Sequence, residues 1–275
     1  MKKVTAALFI IAAFITTAAA QSTLSLKKVM ELKMPAEDEN STMNGTRGAS
    51  VAWHPVQKKY YACFAGNAGY PLAVFNATGK RLSGNAETTQ IDTRGLWYNP
   101  VKKQICGNAY SEFGWFSYKI NTTGLVGEVV TDLEGKHQPN EQSVGAYNIA
   151  KKQVIFLSGS EIWAYNADGT EVETKTTLHW GLTAKDGIAE DEDVSETPEG
   201  YNSSTLIYTG LPNAEIGVLN IADKQVELYS SKTGFLSKKL KLPDDATAEA
   251  TFNFAYANGI YWLFDMENRK WTGYK

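Results

Sequence analysis

The sequence predicts an all-β protein built from repeated four-stranded units, and three observations carry that prediction. Two turn motifs recur about every 45 residues, aromatics make up 12% of the chain, and no segment past residue 20 sustains a 3.6-residue apolar period. The first motif reads Trp53-His-Pro-Val-Gln-Lys-Lys59, Tyr98-Asn-Pro-Val-Lys-Lys103 and Tyr147-Asn-Ile-Ala-Lys-Lys152, with offsets of 45 and 49 residues. The second reads Phe75-Asn-Ala-Thr-Gly79, Ile120-Asn-Thr-Thr-Gly124 and Tyr165-Asn-Ala-Asp-Gly169, with glycines 45 and 45 apart. A fourth copy, Tyr229-Ser-Ser-Lys-Thr-Gly234, follows after 65, which marks an insertion of about 20 residues. Both motifs are turn chemistry: the second places Gly where φ must be positive, and the first is a polar reversal between two apolar runs.

The elements follow in order. Lys2 and Lys3, the apolar run Val4 to Thr17 and the small residues Ala18-Ala19-Ala20 read as a signal peptide over 1–20, too short for a transmembrane span. Removing those 20 of the 275 residues leaves 255, with 25 basic and 30 acidic side chains. The expectation is therefore an exported protein, periplasmic or extracellular, with a single domain over 21–275. In the third unit the four strands are Val144 to Ile149, Val154 to Ser158, Glu161 to Asn166 and Glu171 to Leu178. The C-terminus offers only three: Thr251 to Ala257, Ile260 to Asp265 and Trp271 to Tyr274. The N-terminal run Leu26 to Met34 reads like Phe235 to Leu242, an outer strand, and supplies the missing fourth.

Four-stranded units of this period resemble the blades of a β-propeller. The 255 residues less the 20 inserted, divided by 45, give about five blades, closed by the N-terminal strand joining the last. A β-sandwich of repeated hairpins is the alternative. The chain resembles the broad group of exported bacterial propellers with degenerate NHL-like or YVTN-like repeats. A five-bladed architecture is also similar to that of glutaminyl cyclotransferases and glycosidases, although no motif of either can be placed on residues here.

Candidate site residues come from the connections between blades, which in that fold share a face with the loops between second and third strands. Arg47 and Arg94 stand in matched Thr-Arg-Gly triplets, and guanidinium forks suit carboxylate or phosphate. The competing role is a structural pair bonding backbone or acidic loops. His137 and His179 occupy successive interblade segments, as a general base or as solvated loop residues; two His are too few for zinc. The insertion near 179–204 carries Trp180 and Tyr201 and reads as a specificity element or lid. Tyr110, with Tyr70, Phe113 and Trp115, offers a stacking surface for sugars or a share of the core. The acidic stretches Ala36 to Asn40 and Ala189 to Asp193 lack the spacing of a calcium loop and read as solvated. Cys63 and Cys106 read as two buried thiols or as one disulfide. Five Asn-x-Ser/Thr sequons, at Asn40, Asn44, Asn76, Asn121 and Asn202, read as turns.

No GxSxG elbow, phosphate-cradling loop or HExxH motif is present, so neither metal nor cofactor is expected. A net charge of −3 argues against a general nucleic-acid binder. The leading expectation is a binding protein that recognises a carbohydrate or anionic small molecule on the interblade face. The alternatives are a hydrolase or lyase acting on a glycan, and a scaffold for a protein partner.

Overall fold

The structure is a computed structural model that describes residues 23–36, 45–187 and 195–275. The signal-peptide reading of 1–20 and nearly all of both acidic stretches lie outside the described residues.

The chain opens with β1 (Leu24–Ser25) and β2 (Lys28–Lys33) and then builds five sheets in turn. Blade 1 is β3 (Arg47–His54), β4 (Lys59–Ala65) and β5 (Leu72–Asn76). Blade 2 is β6 (Thr93–Asn99), β7 (Gln104–Ala109), β8 (Trp115–Ile120) and β9 (Val126–Leu133), with a single 3-10 turn at Ser111–Phe113. Blade 3 is β10 (Ala146–Asn148), β11 (Gln153–Ser158), β12 (Glu161–Tyr165) and β13 (Thr176–Thr177). Blade 4 is β14 (Ile207–Tyr208), β15 (Ile216–Asn220), β16 (Gln225–Tyr229) and β17 (Leu236–Lys241). Blade 5 is β18 (Phe254–Ala257), β19 (Ile260–Asp265) and β20 (Lys270–Tyr274), completed by β2 in antiparallel register, with Leu32 opposite Trp271. The inner strands β3, β6, β10, β14 and β18 touch in sequence, and β18 returns to β3, so the ring is closed. This is a five-bladed β-propeller, as the sequence predicts.

Two details differ from expectation. Blade 1 has no regular fourth strand: beyond isolated bridges at Arg81 and Thr88, the segment with Gly84 and Asn85 is irregular. Both residues disfavour extended pairing. Conversely, β1 adds a short parallel strand outside β17, so the N-terminus ties blades 4 and 5 together.

Each sheet buries both faces, which is why β4 (Lys-Tyr-Tyr-Ala-Cys-Phe-Ala) is apolar almost throughout. Alternation then divides the side chains: Tyr60 packs with Trp262 of blade 5, and Tyr61 with Phe116 of blade 2. Five such clusters fill the five interfaces between blades. Cys63 and Cys106 are free and buried, and burial pushes the Cys106 thiol up to about 12.

The repeated turns form as read. Asn76 and Asn121 accept the backbone N–H of Thr78 (3.0 Å) and Thr123 (2.9 Å), and Gly79 and Gly124 adopt φ of 83° and 77°. Asn202 likewise accepts from Thr205 at 3.0 Å.

Candidate ligand-binding cavity

The inner strands enclose a cavity of about 300 Å³ on the propeller axis, at the low end of the range for ligand pockets. Each of the five blades contributes to its wall. The lining runs from Ser50 to Pro55 in blade 1 and through equivalent stretches of the others, ending at the exposed hairpin residues Ile149, Gly210 and Asn258. The mouth therefore lies at the turns between first and second strands, on the face opposite the interblade connections.

At the interblade end, hydrogen bonds from blade to blade form a floor. Gly48 N donates to Asn253 Oδ1 (2.7 Å) and Asn253 N to Gly48 O (2.9 Å), joining blades 5 and 1. Phe252 N donates to Ser204 Oγ (2.7 Å), and Val144 N to Ser204 O (3.3 Å), linking the approaches to blades 3, 4 and 5. Gly145 N donates to Asn108 Oδ1 (2.9 Å) across blades 2 and 3, and Ser50 Oγ to Leu96 O (3.3 Å) across blades 1 and 2. A Cβ on Gly95 would meet Gly145 O at 2.6 Å, so glycine is what lets blades 2 and 3 approach this closely.

Near the mouth stands a ring of aromatics, one from each blade: Trp53, Tyr98, Tyr147, Tyr208 and Tyr256. They occupy matching register positions, opposite Tyr60, Ile105, Val154, Ile216 and Tyr261, at the end of each inner strand. All five are half-buried. Burial holds the Tyr147, Tyr208 and Tyr256 phenols above their ordinary range, so they stay neutral donors at physiological pH. None of the described lining residues is a His, Cys, Lys, Arg or carboxylate; the polar groups are Ser50, Thr205, Thr209, Asn258 and the phenols. Such a surface can stack on a ring and hydrogen-bond its edge.

The residues singled out from sequence lie elsewhere. Arg94 is 4% exposed: its guanidinium ion-pairs with Asp92, donates from Nε to Gln142 at 3.0 Å, and lies 4.7 Å from the Tyr110 ring. Tyr110 in turn donates to Glu141 Oε2 at 2.6 Å. Arg47 is exposed, and the two Thr-Arg-Gly triplets are not structural equivalents. The bulge that skips Arg94 in β6 matches one at Ala49 in β3, two residues beyond Arg47. The histidines do not converge either. His137 sits against Glu134 O (2.8 Å) and Gly169 O (3.0 Å), whereas His179 stacks on Phe235 at 4.4 Å. Each packs on the outer turn of the following blade, so they repeat one role at separate interfaces.

Trp180 donates from Nε1 to Ser160 Oγ at 2.7 Å and packs 4.7 Å from Tyr201. Tyr201 and Tyr229 both donate to Glu227, a fully buried carboxylate also met by Lys239 at 3.2 Å. The described parts of the insertion are thus stitched to blades 3 and 4 on the interblade side. Sequence reasoning passed over the aromatic ring because its first three members sit inside the repeat motif and read as turns. An aromatic just before every inner hairpin was the signal.

A β-propeller with a floored axial cavity is the class of protein these features define. No protein-family model matches the chain, and no curated protein matches it. Among solved structures it is similar to the glutaminyl cyclase of Myxococcus xanthus, at 10% identity and a TM-score of 0.53, over 92% of this chain and 98% of that one. It is also similar to streptogramin B lyase (13% identity, TM-score 0.39, 86% and 65% covered). A third similar structure is the Cps50 β-propeller domain of Myceliophteria thermophila (10% identity, TM-score 0.42, 82% of each chain). At these identities the likeness is one of fold.

Proposed function

We propose that this protein is an exported, non-catalytic binding propeller whose ligand, a carbohydrate or another small ring-bearing molecule, seats in the axial cavity. The observation that carries the reading is the ring of Trp53, Tyr98, Tyr147, Tyr208 and Tyr256 around a floored cavity of about 300 Å³. Five aromatic walls supply stacking, and the Tyr98, Tyr147, Tyr208 and Tyr256 phenols supply the few polar groups that such sites use. The absence of an acid, base or thiol among the described lining residues favours binding over hydrolysis or elimination. The leader-like segment at 1–20 supports export.

The cavity, rather than the interblade face, is the seat in this reading, because Arg94, His137 and Trp180 are already occupied by their own neighbours. A thermal-shift screen against neutral sugars, uronates and aromatic acids tests it, since a ligand that binds only the folded state raises its melting temperature. The expected hit also changes Trp53 fluorescence and is weakened by Tyr147→Ala. A ligand unaffected by Tyr147→Ala and Tyr208→Ala would overturn the cavity as the site.

A further inference from the structure

The repeated Lys-Lys turn, Pro55-Val-Gln-Lys-Lys59, Pro100-Val-Lys-Lys103 and Ile149-Ala-Lys-Lys152, is the sequence motif that the cavity leaves unexplained. Four aliphatic side chains on the inner hairpins are exposed: Val56 (71%), Val101 (67%) and Ile149 (55%) within the motif, and Leu211 (39%) on the differently built hairpin of blade 4. Each stands on the inner hairpin of one of blades 1 to 4, so together they circle the cavity mouth. Pro55 and Ile149 line that mouth, as does Gly210 beside Leu211, which puts the apolar start of the turns in blades 1, 3 and 4 on the axial side. The second strand of a blade lies outside the first, so in blades 1 to 3 the lysine half of the turn faces outward.

Lys58, Lys103, Lys151 and Lys152 form this outer arc and are all exposed. Among the described residues, none of these four is ion-paired, while Lys102 pairs with Asp132 at 2.8 Å. Two carboxylates of the hairpin-side turns are held by backbone: Glu215 accepts from Asn213 N and Ser231 N (3.0 Å each), and Asp168 from Thr170 N (3.0 Å). Four apolar tips, those of blades 1 to 3 flanked on the outside by unpaired lysines, thus occupy one face of a chain whose net charge is −3.

We propose that this face docks on an anionic phospholipid surface, with the aliphatic tips entering the headgroup region and the lysines meeting lipid phosphates. The tips stand on separate hairpins around an opening, so they offer no continuous groove to a peptide, whereas a planar partner meets all of them at once. An arc of mobile cations likewise matches spread, two-dimensional negative charge. Docking in this orientation turns the cavity mouth toward the headgroups. The proposal stands on the rim alone and is independent of what the cavity binds.

Flotation with vesicles tests it, using phosphatidylcholine alone against equal parts phosphatidylcholine and phosphatidylglycerol. The protein is expected to float with the anionic vesicles, to stay behind with the neutral ones, and to be released by high salt. Combining Lys58→Glu, Lys103→Glu and Lys151→Glu should weaken binding on the order of 100-fold, each lysine supplying roughly five-fold. Val56→Ser with Val101→Ser should weaken it several-fold at an unchanged melting temperature, which keeps folding out of the result. No flotation with anionic vesicles would overturn the proposal, as would binding indifferent to both sets of changes. Self-association abolished by them, without vesicle binding, would also overturn it and make the face a protein contact.

Discussion

The two faces of this propeller are built from the same strands and do opposite things. The hairpin face is made of short turns that nearly repeat, and it holds the open mouth, the five half-buried aromatics, exposed aliphatic tips and unpaired lysines. The interblade face is made of long, dissimilar connections. Its unusual residues are spent on closure: Arg94 on Asp92 and Gln142, Asn108 on Gly145, Asn253 on Gly48, Trp180 on Ser160. Irregular sequence here marks the places where neighbouring blades are joined, and the near-repeating turns mark the open mouth.

Breaking the closure should have the largest effect. Deleting Leu24 to Met34 removes β1 and β2, strips Leu32 and Met34 (0% and 1% exposed) from the core, and leaves β17 and β20 with unpaired edges. Loss of a cooperative melting transition by circular dichroism is the expected result. A truncated chain that melts like the parent would mean that the ring does not depend on its N-terminal strands.

Arg94→Ala comes next and separates the faces directly. It strands Asp92 beside a buried gap, a loss of about 3 kcal/mol, or roughly 6–12 °C in Tm for a domain of this size. Ligand binding at the hairpin face should be unchanged when measured well below the lowered Tm. If Arg94→Ala instead abolished binding at an unchanged Tm, the interblade face would be the site after all.

Much of this architecture was legible in the sequence because a propeller writes its period into its turns. The strands at Ile260 to Asp265 and the closing segment near Lys28 to Lys33 fall where the repeat places them. What the repeat could not show was β1, since a two-residue strand has no periodicity to read, and the irregular outer edge of blade 1, where Gly84 and Asn85 interrupt the pattern. The aromatic ring was half visible. Trp53, Tyr98 and Tyr147 lie in aligned motifs, whereas Tyr208 and Tyr256 precede hairpins of other lengths, at Thr209 to Glu215 and Asn258-Gly259. The Thr-Arg-Gly triplets share letters across a two-residue offset, which the bulges at Ala49 and Arg94 reveal.

Substitutions at the mouth should act in the reverse sense to Arg94→Ala. Tyr147→Ala removes a half-buried ring, so its cost to stability should be the smaller of the two. A lost aromatic contact weakens a stacked ligand by about two-fold to ten-fold, from roughly 0.5–1.5 kcal/mol. Calorimetric titration of the ligand found by screening reads this directly. Equal losses of stability and affinity in both variants would erase the distinction between the faces.

The smallest expected effect is a pH dependence confined to one hairpin. His54, Asn99 and Asn148 hold the same position in three successive turns, and each accepts the backbone N–H three residues on: Gln57 to His54 Nδ1 at 3.2 Å, Lys102 to Asn99 at 3.1 Å and Lys151 to Asn148 at 3.1 Å. With Nδ1 accepting, Nε2 carries the proton and donates to Lys103 O at 3.1 Å, so only the neutral ring satisfies both bonds. Burial, with a lesser push from Lys59, holds the His54 pKa below 6.5. The unfolded chain therefore binds this proton at a higher pH than the folded one. The stabilisation from the neutral ring is complete above about 6.5 and is lost as pH falls through the lowered folded value. Tm should hold steady from pH 8 to 7 and decline below, and His54→Asn, which keeps the turn's acceptor as blades 2 and 3 do, should flatten that decline. Melting curves for the two proteins that run parallel across this window would show that His54 carries no such linkage, and would leave the first hairpin no different from its neighbours.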